Sequence, residues 1–166
     1  MRPRLTLSMS GLAVAAILIK PALAPLYVLN LSPSVPVGLY RLEGRHPHRG
    51  GLAVIRLSQP WRDLAASRGY LSTGASLIKP VAALAGDRVC RSDGRITING
   101  RLTALAQPAD NSGRVLPEWE GCKTLVEGEL FLLSGTEGSF DGRYFGVTPR
   151  SALIANAVPV SGRVGK

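Results

Sequence analysis

Histidine is nearly missing from the chain: of 166 residues only His46 and His48 are histidines, and both fall in the polar stretch Glu43 to Gly50. A Ser-His-Asp triad would have to draw its base from this one Pro- and Arg-rich loop, and a two-histidine metal site there has no third ligand nearby. Cysteine is as sparse, with Cys90 and Cys122 alone. Without C-x-x-C the pair does not suit a thiol-disulfide exchanger, and without further ligands it does not suit a metal centre. Acidic residues number 11 against 20 lysines and arginines, for a net charge of +9. The basic residues nevertheless stand singly (Arg41, Arg45, Arg56, Arg62, Arg68, Arg88, Arg91, Arg95, Arg101), with no run and no nucleic-acid motif among them. That scatter argues against nucleic acid as the partner and for an anionic lipid surface. Aromatics make up 5% and apolar residues 45% of the chain, enough for one domain with a core and too short for two ordinary ones.

What is present begins with an apolar N-terminus. Arg2 and Arg4 form a basic head, Leu5 to Ile19 is mostly apolar, Lys20-Pro21 interrupts, and Ala22 to Leu29 resumes. As a membrane span the segment reaches the roughly 20 residues a bilayer needs, with Lys20 costing about 2.5–3.5 kcal/mol at the centre unless it snorkels to a headgroup. As a cleaved signal it offers Ala22-Leu23-Ala24, but Pro25 would follow the scissile bond and hinder cutting. The reading adopted is an uncleaved signal-anchor over residues 1–29, Arg2 and Arg4 remaining cytoplasmic and residues 30–166 exported as one domain.

Directly after the anchor comes Asn30-Leu31-Ser32-Pro33-Ser34-Val35-Pro36-Val37-Gly38-Leu39-Tyr40. Serines between prolines are ordinarily turn residues, yet a serine can act as a nucleophile if a base is at hand, and a lysine of lowered pKa can replace histidine in that role. Leu29 to Ser34 is five steps, so the Ser34 hydroxyl lies within roughly 17 Å of the apolar boundary even in a fully extended chain. The candidate base is Lys79 in Leu77-Ile78-Lys79-Pro80-Val81. On a strand, Leu77, Lys79 and Val81 share one face, and apolar neighbours would desolvate the amine and lower its pKa. The competing reading is an exposed lysine on an edge strand. A literal Ser-x-x-Lys, Ser76 to Lys79, is also present, but that motif needs a helix, which Pro80 disfavours.

The remaining text is β-like. Residues 37–42 and 51–57 read as strands around the polar turn, Gln59-Pro60-Trp61 opens a short helix ending near Gly69, and Asn99-Gly100 marks a hairpin within Gly94 to Leu102. Residues 104–120 read as a polar excursion loop. In an exported domain Cys90 and Cys122 form a structural disulfide, closing a loop of about 32 residues and contributing on the order of 3–4 kcal/mol in the chain-entropy account. Gly128 to Gly135 is a buried strand. It leads to Ser139, Asp141 and Arg143, which alternate and on an extended chain point to one side, Asp141 pairing bidentately with Arg143 or forming an exposed ion pair of little weight.

Three ordered boxes carry a resemblance: Asn30-x-Ser32-x-Ser34-x-Pro36-x-Gly38-x-Tyr40, then Ile78-Lys79-x-Val81-x-x-Leu84-x-Gly86-Asp87, then Ser139-x-Asp141-x-Arg143-Tyr144-x-Gly146. Together they resemble the type I signal peptidases, and the first box resembles the conjugative-transfer, TraF-type branch that matures pilin precursors. The resemblance implies a mainly β fold of coiled antiparallel sheets with an N-terminal transmembrane helix and one or two short helices, no cofactor and no metal. It implies Ser34 as nucleophile, Lys79 as general base, Ser32 and the Ser34 amide as the oxyanion hole, Ser139 orienting the lysine, and Asp141 with Arg143 supporting the site. It further implies the inner membrane, with the domain in the periplasm, and a membrane-embedded pilin precursor as substrate. Pro36 stands two residues after Ser34 rather than three, and Ala85 replaces the proline usual before Gly86-Asp87, departures that favour the specialised branch over a general signal peptidase. A non-enzymatic envelope assembly protein that keeps the fold is the alternative from another class. Hydrolysis and head-to-tail cyclisation, the fate of Ala24 and the oligomeric state stay open.

Overall fold

Alternating apolar residues and positive-φ turns leave this chain little choice but short antiparallel strands. The computed structural model describes residues 27–160. Within them one seven-stranded sheet runs in the order β1 (Tyr27–Asn30), β2 (Gly38–Glu43), β11 (Leu153–Pro159), β3 (Leu52–Ile55), β4 (Leu77–Ala83), β9 (Glu129–Leu132), β10 (Thr148–Pro149). A four-stranded sheet runs β7 (Arg101–Leu105), β6 (Arg95–Ile98), β5 (Arg88–Ser92), β8 (Gly121–Thr124). Helices α1 (Trp61–Ser67) and α2 (Gly142–Phe145) are short. The expected mainly β architecture with few helices is therefore what the chain forms.

Two departures concern the ends. Tyr27–Leu29, given above to the apolar anchor, belong to β1 and pair with Leu39–Arg41 of β2. The rest of the expected anchor lies outside the described residues, among which no helix is long and apolar enough to cross a membrane. At the other end, β11 lies between β2 and β3 in the middle of the large sheet. Its Leu-Ile-Ala-Asn-Ala-Val-Pro text is poor in the β-branched and aromatic residues that announce a strand, so it escaped the sequence reading.

The junction between the sheets is held by Asp87. Its carboxylate accepts hydrogen bonds from Arg49 (2.6 Å), the Leu84 amide (2.8 Å) and Asn99 Nδ2 (2.8 Å). Burial pushes this carboxyl up, but those donors outweigh burial and hold it down at about 2. Asn99 and Gly100 have φ of 52° and 79°, the left-handed pair that the tight β6–β7 turn demands. Asp93 and Gly94 repeat the device between β5 and β6, with φ of 49° and 72°. Cys90 and Cys122 are register partners on β5 and β8 and are joined by the expected disulfide.

Three apolar clusters fill the fold. The largest gathers Ile55, Leu57, Leu77, Val81, Leu132, Phe140 and Tyr144 between the large sheet and α2. A second packs Val89, Ile96, Phe131 and Leu133 under the small sheet. The third, Val35, Tyr40, Val54, Ile78 and Ala157, lies beneath the Ser34 turn. Inserting Val35 there, where it is buried, roots that turn in the core.

Candidate active site

The turn carrying Ser34 is shaped by Asn30, the last residue of β1. Its Nδ2 donates to the carbonyls of Ser32 (2.7 Å), Val35 (3.0 Å) and Pro36 (3.1 Å), while its Oδ1 accepts from the Ser32 amide at 3.2 Å. One buried amide side chain thus replaces the partners that Pro33 and Pro36 deny the backbone. Tyr40 adds a bond from its hydroxyl to the Pro36 carbonyl (2.6 Å). Both residues occur in the first box, but their spacing alone did not disclose these roles.

Lys79 sits in mid-strand on β4. Pro80 keeps it extended and the strand survives the missing N–H because the Pro80 carbonyl accepts from Leu133 and the Val81 amide donates to Gly51. Leu77 and Val81 flank Lys79 on the same strand and both enter the main core, so the amine is 2% exposed rather than displayed on an edge. Its Nζ donates to Ser139 Oγ at 2.7 Å. Burial lowers the Lys79 pKa from 10.5 to about 8, with Asp141 pulling it up and Arg143 pushing it down by smaller amounts. Ser76 lies on the extended approach to this strand, so the Ser-x-x-Lys text does not form the helical motif it spells.

Ser34 is 8% exposed. Its Oγ lies 2.9 Å from Ser32 Oγ, and its amide donates to the same Ser32 oxygen at 3.3 Å. Among the described residues no hydrogen bond joins Ser34 Oγ to Lys79 Nζ. Both residues line a single cavity of about 770 Å³, together with Leu57, Leu77, Leu116 and Phe140. The chain therefore brings Ser32, Ser34, Lys79 and Ser139 to one cavity, with the hydroxyl and the amine each satisfied by a neighbouring serine.

Asp141 and Arg143 differ from expectation in three respects. The segment is not extended throughout: Asp141 caps α2, its Oδ1 accepting from the Arg143 amide at 3.1 Å. The two side chains do not pair bidentately, since Arg143 Nε is 3.7 Å from Asp141 Oδ1 and has no hydrogen-bond partner among the described residues. Nor is the pair exposed, both side chains being almost wholly buried. The guanidinium instead donates to the carbonyls of Thr136 (2.9 Å) and Ser134, and Asp141 Oδ2 accepts from the Ser134 amide at 2.9 Å. Burial raises the Asp141 carboxyl against the opposing pull of Arg143. Gly142 is required by contact: a Cβ there would meet the Leu132 carbonyl at 2.7 Å and the Phe131 ring at 2.8 Å.

The excursion loop also contributes more than its polarity suggests. Leu116 is buried in the main core, and Gln107, Asp110 and Arg114 line the same cavity as Ser34 and Lys79. Trp119 Nε1 donates to the Gly142 carbonyl at 3.0 Å, so the loop is fastened to α2.

The buried Lys79 amine and the serine-rich turn thus line one cavity of a mainly β scaffold. The pattern described as signal peptidase, peptidase S26, matches residues 3–161, and the chain belongs to that family. Among characterised relatives it is similar to the conjugal transfer protein TraF of Agrobacterium fabrum, 38% identical with 81% of each chain covered. It is similar also to that of Agrobacterium tumefaciens, 37% identical over 95% of each, and to the plasmid transfer protein TraF of Escherichia coli, 34% identical over 80% of each. A signal peptidase I of Enterococcus faecalis aligns in structure with a TM-score of 0.39 at 18% identity, over 72% of this chain and all of the other.

Proposed function

We propose that the chain is a membrane-anchored serine peptidase that processes a pilin precursor for conjugative transfer, using Ser34 as nucleophile and Lys79 as general base. The observation that carries the reading is Lys79: an amine with its charge disfavoured by burial, bonded to Ser139, on the wall of the cavity that also holds Ser34. At a pKa of about 8 an appreciable fraction is neutral near pH 7 and able to accept a proton. Substrate binding draws Ser34 Oγ away from Ser32 and toward Lys79 Nζ, an adjustment usual on passing from a free enzyme to its complex. Neutral Lys79 then takes the Ser34 proton as the oxygen attacks a carbonyl after a small residue. The Ser34 amide and the Ser32 hydroxyl, released from one another, donate to the developing oxyanion. The lysinium returns its proton to the departing amine, leaving an acyl-enzyme. Water resolves it to a cut pilin; an amine from the substrate's own N-terminus resolves it to a cyclic one.

The anchor within residues 1–26 holds the domain at the inner membrane, the domain itself being periplasmic. Supporting this placement, Tyr27, Leu29, Leu31, Val37 and Leu39 are exposed apolar side chains clustered where the chain enters the domain, and Leu29 and Leu31 line the cavity. An exposed apolar patch at the mouth of the site suits contact with lipid and with a membrane-embedded substrate. The test is mass spectrometry of pilin from cells carrying Ser34→Ala or Lys79→Ala. Unprocessed precursor in both strains is the expected result, and normally matured pilin in either overturns the reading; a wild-type product lighter by one water marks cyclisation.

A further inference from the structure

Ser134 and Thr136 flank Gly135 at the exit of β9, and no role for either hydroxyl follows from the boxes. Each of their hydroxyls donates to the backbone of the Ser34 turn: Ser134 Oγ to the Ser34 carbonyl at 2.6 Å and Thr136 Oγ1 to the Pro33 carbonyl at 3.3 Å. Ser134 is 2% exposed and all its polar groups are engaged. Its amide donates to Asp141, its carbonyl accepts from Arg143, and its oxygen also accepts from the Thr136 amide at 3.1 Å. The same loop ends at Ser139, the partner of Lys79.

The geometry has a direct consequence for Ser34. A trans peptide unit is planar with its C=O and N–H opposed, so holding the Pro33 oxygen fixes the direction in which the Ser34 N–H points. Holding the Ser34 oxygen fixes the next plane and with it the φ/ψ from which the hydroxyl projects. We propose that Ser134 and Thr136 are positioning residues that clamp two consecutive peptide planes at Ser34, aiming its amide at the oxyanion and its hydroxyl at the scissile carbonyl. The Asp141–Arg143 pair then acts on the nucleophile through Ser134, while Ser139 serves the base from the other end of the loop. This rests on Ser34 being the nucleophile and adds how its backbone is held.

The test is burst kinetics of the full-length chain in detergent with N-acetyl-alanine p-nitrophenyl ester as the acylating probe. Ser34 Oγ attacks the ester carbonyl, p-nitrophenolate leaves, and the serine proton passes to Lys79. Thr136→Val keeps the shape and removes the donor, Thr136→Ser restores it, and Ser134→Ala removes the buried donor. Misaiming without loss of the site slows acylation by roughly 10- to 100-fold, with the probe concentration at half-saturation changing by less than about twofold, and Thr136→Ser recovers the rate. The apparent pKa of acylation stays where it is in the wild type, because Ser139 and Lys79 are untouched. Wild-type acylation by both Thr136→Val and Ser134→Ala, in a protein that Ser34→Ala silences, overturns the clamp and leaves the function standing. A displaced apparent pKa also overturns it, since the hydroxyls would then act through Lys79. Acylation persisting in Ser34→Ala overturns the underlying function, and the clamp with it.

Discussion

Replacing Lys79 by methionine should stabilise the protein while abolishing its activity. At neutral pH the buried amine is mostly charged, and its pKa of about 8 against an ordinary 10.5 means that holding a proton there costs the folded state about 3 kcal/mol. Methionine fills similar space with no charge to desolvate. It forfeits the hydrogen bond to Ser139, worth about 1 kcal/mol net, and leaves a gain of about 2 kcal/mol at pH 7. For a chain of this size that gain raises Tm by roughly 4–8 °C. The sign follows from proton binding: between pH 8 and 10.5 the unfolded chain still holds the Lys79 proton and the folded chain has lost it, so wild-type stability rises with pH across that window. Below pH 8 both states are protonated and the penalty is fully present. Urea denaturation of wild type and Lys79→Met at pH 7 and again near pH 10 reads the difference directly. A Lys79→Met variant no more stable than wild type at pH 7, or an advantage that does not shrink toward pH 10, refutes the argument that burial alone sets this amine's pKa.

The acylation rate should climb with pH through an apparent pKa near 8 as Lys79 loses its proton, measured by burst kinetics across pH 6–10; a rate without an inflection below pH 10 refutes a buried base. Arg143→Leu leaves the Ser134 and Thr136 carbonyls and the Asp141 carboxylate without their buried partner, and should cost about 3–5 kcal/mol in urea denaturation. Breaking the disulfide with Cys90→Ser and Cys122→Ser together should lower stability by about 2–4 kcal/mol, given the 32 residues it spans, with the acylation pKa unmoved. The Asp87 carboxylate contributes stability that is present above its ordinary pKa of 3.8 and lost as pH falls through about 2, so Asp87→Asn should flatten the acid limb of the stability curve in that window.

How much of this was legible in the sequence depends on whether the signal was local. The Asn99-Gly100 turn and the short helix α1 (Trp61–Ser67) are specified by residues that touch within a turn, and the chain forms both, the helix starting after Pro60 and ending just before Gly69. The Ser34 and Lys79 segments stand out as candidates in the sequence because their spacing is fixed within short boxes. The position of β11 does not, since it is decided by pairing with β2 and β3, about a hundred residues away, and not by its own composition. The α2 turn was hidden for a related reason. Ser139, Asp141 and Arg143 alternate as a strand would, but the Asp141 carboxylate prefers the free amide of Arg143 at a helix start. Ser134 and Thr136 carry no pattern at all: they matter only because β9 delivers them against Pro33 and Ser34, a contact made across a hundred residues.

Burial is the largest cause of the lowered Lys79 pKa, and two charged neighbours act on the same amine. Asp141 draws the amine's pKa upward and Arg143 drives it down, so the two oppose one another at the same nitrogen. Each acts less strongly than desolvation by Leu77, Val81 and the neighbouring core, which sets the direction of the shift. Removing either partner would expose the amine to an uncompensated buried charge, which is why the pair can be structural in its contacts and still decide the chemistry. Its hydrogen bonds point to the same conclusion. Neither side chain bonds to Lys79 or Ser34; both bond to the backbone of Ser134, one through its amide and the other through its carbonyl. An ion pair whose two charges act in opposite directions on the amine, and whose hydrogen bonds hold the Ser134 backbone, can fix the loop that runs between the Ser34 turn and Ser139.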